Sequence, residues 1–236
     1  MFHTRVTRHR AQVIVRSGRL LAGLTGLLGV AACGDKAQEI VIPAGNVVVT
    51  TFRDSTFNFG ALTTFAMPDT VIHFAPLTGT AVPVTRQFDA TILSQVRSNF
   101  VARGYVEDTR PDSIQPSFVV LVGTTESDSY NAFIGYPWYT TWGFWTGWRW
   151  YAPGFNNSWT IVYPWYQAVG VTAYTRGSIV VTLIPTAQIN PLDQSIRATW
   201  AGVATAILAT SPTNAGVAAV IDQMFALSPY LVAQTP

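Results

Sequence analysis

Cysteine is almost missing from this 236-residue chain: Cys33 stands alone, which rules out an intramolecular disulfide, so an oxidising compartment gains the fold nothing. Charge is scarce too. Only 11% of residues are Asp, Glu, Lys or Arg, and beyond residue 32 they form no clustered basic face of the kind nucleic acid requires. Beyond residue 32 histidine is reduced to His73. A Ser-His-Asp arrangement would need that residue as its base, and no Gly-x-Ser-x-Gly elbow supplies a serine; a lone histidine in a Pro/Gly-bounded loop is expected at the surface. Metal sites want several donors at fixed spacing. The acidic clusters are Glu107-Asp108 with Asp112 and Glu126 with Asp128, and they read as solvated loop edges. Phosphate-cradling loops are lacking as well, because Gly135, Gly143 and Gly147 alternate with aromatics and precede no helix. The chain is therefore expected to be no enzyme and to carry no cofactor and no metal.

A membrane-spanning run is also missing. The apolar stretch Leu20 to Ala32, LLAGLTGLLGVAA, falls well short of the roughly 20 residues a transmembrane helix needs. It follows a segment with five arginines and no acid, Met1 to Arg19, and the pair reads as a secretory signal. The stretch runs into Val30-Ala31-Ala32-Cys33, which resembles the lipobox of bacterial lipoproteins. Residues 1–32 are then a lipoprotein signal peptide, and Cys33 is the lipidated N-terminus, bearing acyl chains such as palmitate; several chains together hold a soluble domain at a bilayer. Gly34 rather than Asp follows the cysteine, which by resemblance to the Gram-negative sorting pattern favours the outer membrane, periplasmic face, over the inner membrane. Without the signal the charge balance reverses: the whole chain is +2, but from Cys33 on there are nine bases and twelve acids, a net −3.

Residues 33–46 read as lipidated N-terminus and tether, and 47–236 as one domain. Val47 to Asp54 has the β-branched enrichment of a strand, Thr63 to Met67 is a short extended piece, and Asp69 to Val84 is a loop by composition. Arg86 to Arg103 is the clearest helix, with Phe88, Ile92, Val96 and Phe100 spaced by four, Leu93 and Val101 widening the stripe, and Gly104 as the stop. Ser117 to Thr125 is a near-continuous apolar strand. Thr175 to Ile184 and Ser195 to Thr205 alternate and predict an antiparallel hairpin. Ser211-Pro212 opens a last helix whose apolar face is Val217, Val220, Ile221, Met224 and Phe225. The expectation is an α+β fold: a mostly antiparallel sheet of four or five strands, with two helices packed on one face.

What the chain has in excess is aromatic and local. Seven of its eight tryptophans lie between Trp138 and Trp165, inside an insertion at about 127–174 that carries Tyr-Pro-Trp-Tyr twice, at Tyr136 to Tyr139 and Tyr163 to Tyr166. Such rings can cover a sheet face, dock at lipid headgroups, or form a platform for glycan, peptidoglycan or an envelope protein, since hot spots favour Trp, Tyr and Arg. The candidate ligand or partner surface is Trp138, Trp142, Trp145, Trp148, Arg149, Trp150 and Trp165. Arg149 is the base between two of those rings.

Six landmarks in order resemble the DUF4136 domain of bacterial lipoproteins: Phe57-x-Phe59-x-x-Leu62-Thr63-Thr64-Phe65-Ala66; Val96 through Arg103-Gly104-Tyr105; Asp112 followed by Phe118-Val119-Val120; the Gly/Trp/Tyr-rich middle; Gly177-Ser178-Ile179-Val180-Val181; and Trp200-x-Gly202. The resemblance implies fold and envelope location and carries over no catalytic residue. The function expected is that of a lipid-anchored periplasmic envelope protein acting as a structural or interaction module, with glycan or peptidoglycan binding (or hydrolysis) through the aromatic loop as the alternative.

Overall fold

The structure, a computed structural model, describes residues 38–42, 47–74, 83–110, 115–126, 160–162, 176–190, 192–193 and 195–234. Five strands pair antiparallel with one another in succession: β1 (Gln38–Ile42), β2 (Val47–Arg53), β6 (Phe118–Thr125), β8 (Ile179–Pro185) and β11 (Trp200–Ala204), in the order β1-β2-β11-β8-β6. The expected hairpin is there, with Trp200 opposite Leu183 and Ala204 opposite Ile179. Beyond β6 the sheet changes character. The short strands β3 (Thr64–Ala66), β4 (Ile72–Phe74) and β5 (Val106–Glu107) all join in parallel, β3 and β4 along the two halves of β6 and β5 outside β3.

The sheet is therefore mixed and eight-stranded, wider than the mostly antiparallel four or five strands read from sequence. The reason is local. Strands of two or three residues show no period to read, and a parallel pair is made by a crossover rather than by a turn. Here the crossover from β3 to β5 contains α1 (Asp89–Ala102). Gln38–Ile42, which falls within the segment read as tether, is likewise a strand paired with β2.

Both expected helices pack on one face of the sheet, and their apolar stripes explain why. In α1, Ile92, Leu93, Val96 and Phe100 are buried, and in α2 (Asn214–Ala226) so are Val217, Val220, Ile221, Met224 and Phe225. Val101 does not widen the stripe of α1; it is exposed. At the C-terminus of α1, Gly104 has a φ of 85°, its N–H donates to the Val101 carbonyl, and the Tyr105 N–H donates to that of Phe100, the two bonds of a Schellman stop. The N-cap of α2 is Thr213, whose Oγ1 accepts from the Gly216 N–H at 3.1 Å, two residues later than Ser211. The helices meet through Asp222, whose carboxylate accepts from Gln95 and Asn99 of α1, while the Arg103 guanidinium lies over the Phe225 ring.

Large rings fill the space between helices and sheet. Phe65, Phe100, Tyr105, Phe118, Trp200 and Phe225 are almost wholly buried, with ring centroids 4.9–6.4 Å apart, and burying each such side chain is worth about 1.5–3 kcal/mol. The Trp200 Nε1–H donates to Ser228 Oγ at 2.9 Å, which satisfies the one polar atom the ring carries inward. This packing also accounts for Gly202. A Cβ there would stand 2.9 Å from Met224 Sδ and 3.0 Å from the Trp200 ring, so α2 could not approach the sheet as closely with any larger residue.

The other face of the sheet is closed too: Val119, Leu121, Val180, Thr182, Ile184, Ala201 and Val203 are each 2% exposed or less. A second, three-stranded sheet is made by β7 (Thr160–Val162), β9 (Ile189–Asn190) and β10 (Ser195–Arg197), with β10 parallel to β7. The segment read as one strand from Ser195 to Thr205 is thus two, β10 and β11. Arg197 at the end of β10 pairs with Asp54, 2.8 Å from Nη2 to Oδ2.

Candidate functional site

The central strands β6 and β8 are neighbours in the sheet, and the aromatic insertion is the chain between them. Its root is tied closely. The Gly177 N–H donates to the Thr125 carbonyl at 2.8 Å, the Thr125 N–H to the Ser178 carbonyl at 3.1 Å, and the Ser178 N–H to Thr125 Oγ1 at 3.1 Å. Ser178 Oγ accepts from the Ala206 N–H, and the Gly177 carbonyl from the Leu208 N–H. Both ends of the insertion are therefore held within one hydrogen-bonded step of each other by residues that are themselves buried.

A segment in the last third of the insertion is tied elsewhere. Thr160–Val162 pairs with Ser195–Arg197, next to the end of β2 where Arg197 meets Asp54. That is the opposite end of the main sheet, since Arg53 and Trp200 are paired there while Thr124 and Ile179 are paired at the root. Thr160–Val162 and the root at Thr125 and Gly177 thus lie at opposite ends of the strands.

At the root sits a polar cluster. His73 on β4 places Nε2 3.1 Å from Asp89 Oδ1 and Nδ1 3.4 Å from Glu126 Oε1, and Arg86 Nη1 lies 3.3 Å from Asp89 Oδ2. The His73 side chain is 3% exposed and that of Glu126 13%. Contrary to the surface position expected, the histidine is enclosed, and the Glu126 carboxylate is part of an inward-facing cluster rather than a solvated edge. Its physical role follows from the elements it joins: one ring bridges β4, the first turn of α1 and the last residue before the insertion. Asp89 in that first turn also faces the positive end of the helix dipole. Held between Asp89 and Glu126, the ring clamps these elements together.

Glu107, the other acidic group read as a loop edge, is likewise turned inward, 2.7 Å from Arg97 Nε, and Arg97 also pairs with Asp69. Among the described residues no group of three His, Cys, Asp or Glu side chains is placed to hold a metal ion, and no helix is long and apolar enough to cross a membrane. Cys33, Trp138, Trp142, Trp145, Trp148, Arg149, Trp150 and Trp165 lie outside the described residues, as do Asp112 and Asp128. Sequence reading missed the cluster because its members come from three separate elements. The acidic residue at a helix start, Asp89, was the one local cue.

Over residues 48–230 the chain matches the model of a domain of unknown function, DUF4136. The chain belongs to the DUF4136 family. The fold of this DUF4136 domain is shared with the crystal structure of a DUF4136 family protein from Bacteroides thetaiotaomicron: TM-score 0.57 and 19% identity, over 80% of this chain and 99% of that one. At that identity the likeness speaks for the fold alone. No curated protein matches the chain.

Proposed function

We propose that the mature chain is a lipid-anchored envelope protein, held through acyl chains at Cys33 in the outer membrane and facing the periplasm, and that its DUF4136 domain is a non-enzymatic structural or interaction module. The observation that carries this reading is the rooting of the insertion. A segment with seven tryptophans leaves and re-enters between two buried central strands, across bonds of 2.8 and 3.1 Å between Thr125 and Gly177-Ser178. Binding residues are concentrated on loops that a rigid scaffold positions, and Trp, Tyr and Arg are the side chains that dominate protein hot spots. The anchor reading rests on Val30-Ala31-Ala32-Cys33 and on Gly34 after it.

Two experiments test it. Labelled palmitate fed to a Gram-negative host expressing the chain is expected to mark the protein and to be lost in Cys33→Ala, with the variant moving to the soluble periplasmic fraction. A variant still in the membrane fraction would overturn the anchor. A photo-crosslinking residue in place of Trp145 is expected to give a discrete envelope adduct. Tryptophan emission titrated with liposomes and then with peptidoglycan fragments separates the glycan alternative: a saturable blue shift with fragments, and none with liposomes, would favour sugar stacking over a protein partner.

A further inference from the structure

At the end of the sheet opposite the root, β2 stops at Arg53 and the chain after α2 folds back across it. The two form a cleft of about 400 Å³, in the range of small-ligand sites. One wall is aromatic: Phe57 meets Phe59 edge-on at 5.1 Å, and Phe59 meets Tyr230 at 5.2 Å. Across it lies the Arg53 guanidinium, its Cζ 4.4 Å from the centroid of the Tyr230 ring. The ring is fixed from behind. Tyr230 Oη donates to Ser228 Oγ at 3.3 Å, the same oxygen that accepts from Trp200 Nε1, and Ser228 and Trp200 are both fully buried. The rim is polar. Asn58 Oδ1 is taken by the Gly60 N–H, which leaves its amide NH₂ as a donor, and Gln234 is held beside it by its own N–H on the Gly60 carbonyl.

The charge balance of this cleft is what points to a ligand. Stacking on a ring uses the face of a guanidinium and leaves its in-plane N–H fork for a carboxylate. No carboxylate among the described residues pairs with Arg53. Asp54, next in sequence, is committed on the other side of the strand, to Arg197 and to the Thr56 N–H and Oγ1. A partly buried, ring-stacked cation beside an open aromatic wall is a half-made ion pair.

We propose that this cleft is a binding site for a small carboxylate with an apolar or aromatic body, the acid seated on the Arg53 fork and the body against Phe57 and Tyr230. The residues that line the cleft all lie outside the insertion. N-acetyl-phenylalanine, which presents the acid as a peptide C-terminus does, and 3-phenylpropionate, which carries no peptide bond, are the probes, with N-acetyl-phenylalanine amide as the uncharged control. Titration of the full chain by calorimetry, with the Gly60 and Gln234 amides followed by NMR, should show saturable binding of at least one acid, shifts confined to those amides and their neighbours, and none for the control. Preference between the acids tells a peptide end from a free acid. Arg53→Gln should weaken binding roughly tenfold or more, and Arg53→Lys, which keeps charge but not the fork, should weaken it less; unfolding curves verify that each variant is folded. Should a variant not fold, the wild-type contrast between acid and amide still decides. No saturation by about 10 mM, which is weaker than the millimolar affinity of a fragment, equal binding of acid and amide, or unchanged binding in a folded Arg53→Gln would overturn the proposal.

Discussion

Where the insertion leaves the sheet, polar groups make the contacts: His73 between Asp89 and Glu126, and the Thr125-Gly177-Ser178 ties. At the far end of the same strands the contacts are rings, with Trp200 against Phe225 and its N–H on Ser228, and Tyr230 beneath Arg53. The difference separates two tasks. Rings bury area and hold the helices to the sheet wherever the chain chooses to place them, whereas directional bonds define a particular exit point for the chain that follows. Stability is therefore expected to concentrate at the ring-lined end and positioning at the polar end.

The largest break in that contrast should come from Trp200→Ala. It leaves a cavity beside Phe100 and Phe225 and removes one of the two donors to Ser228 Oγ, so a loss of about 3–5 kcal/mol is expected in urea unfolding; a loss under about 1 kcal/mol would mean that the rings are not the main support.

A pH titration sharpens the same point. Burial pushes the Tyr105 phenol up to about 12, against a smaller opposing pull from Arg103. The folded value lies above the unfolded one, so the neutral phenol's contribution is fully present below about pH 10 and is lost as pH rises toward 12. The slope over that window corresponds to roughly 2–3 kcal/mol. Tyr105→Phe should flatten the alkaline limb of the stability curve, and an unchanged limb would assign it to other groups.

At the polar end His73→Ala should cost less, about 1–3 kcal/mol for the carboxylates left without the ring, but should act locally. Hydrogen exchange at the Thr125 and Gly177 amides should quicken more than at the amides of β11. Uniform acceleration would show that the cluster is ordinary core and no clamp. Smallest of all, Thr213→Ala removes the cap of α2 and is expected to cost about 1 kcal/mol by thermal unfolding.

Much of the scaffold was legible because its signals are local. The spacing of Phe88, Ile92, Val96 and Phe100 set one helix face, that of Val217 to Phe225 the other, and the alternation after Gly177 and before Thr205 set the hairpin. Thr63 to Met67 was legible as an extended piece, but its parallel pairing was not, because its partners lie more than 40 residues away, on β5 and β6. Ser211-Pro212 misplaced a cap for a related reason: two neighbouring hydroxyls, Ser211 and Thr213, both suit the role, and only the backbone path selects Thr213.

By itself the sequence determined where the two helices and the hairpin lie, where the aromatic excess lies, and that histidine and cysteine are few. Tertiary structure alone decided that the one histidine beyond residue 32 is enclosed between two carboxylates, and that Arg53 rests on Tyr230 with no carboxylate of its own among the described residues. Periodicity is written within a few residues of chain. Pairing between residues 16 or 177 positions apart is decided only when packing brings their elements together.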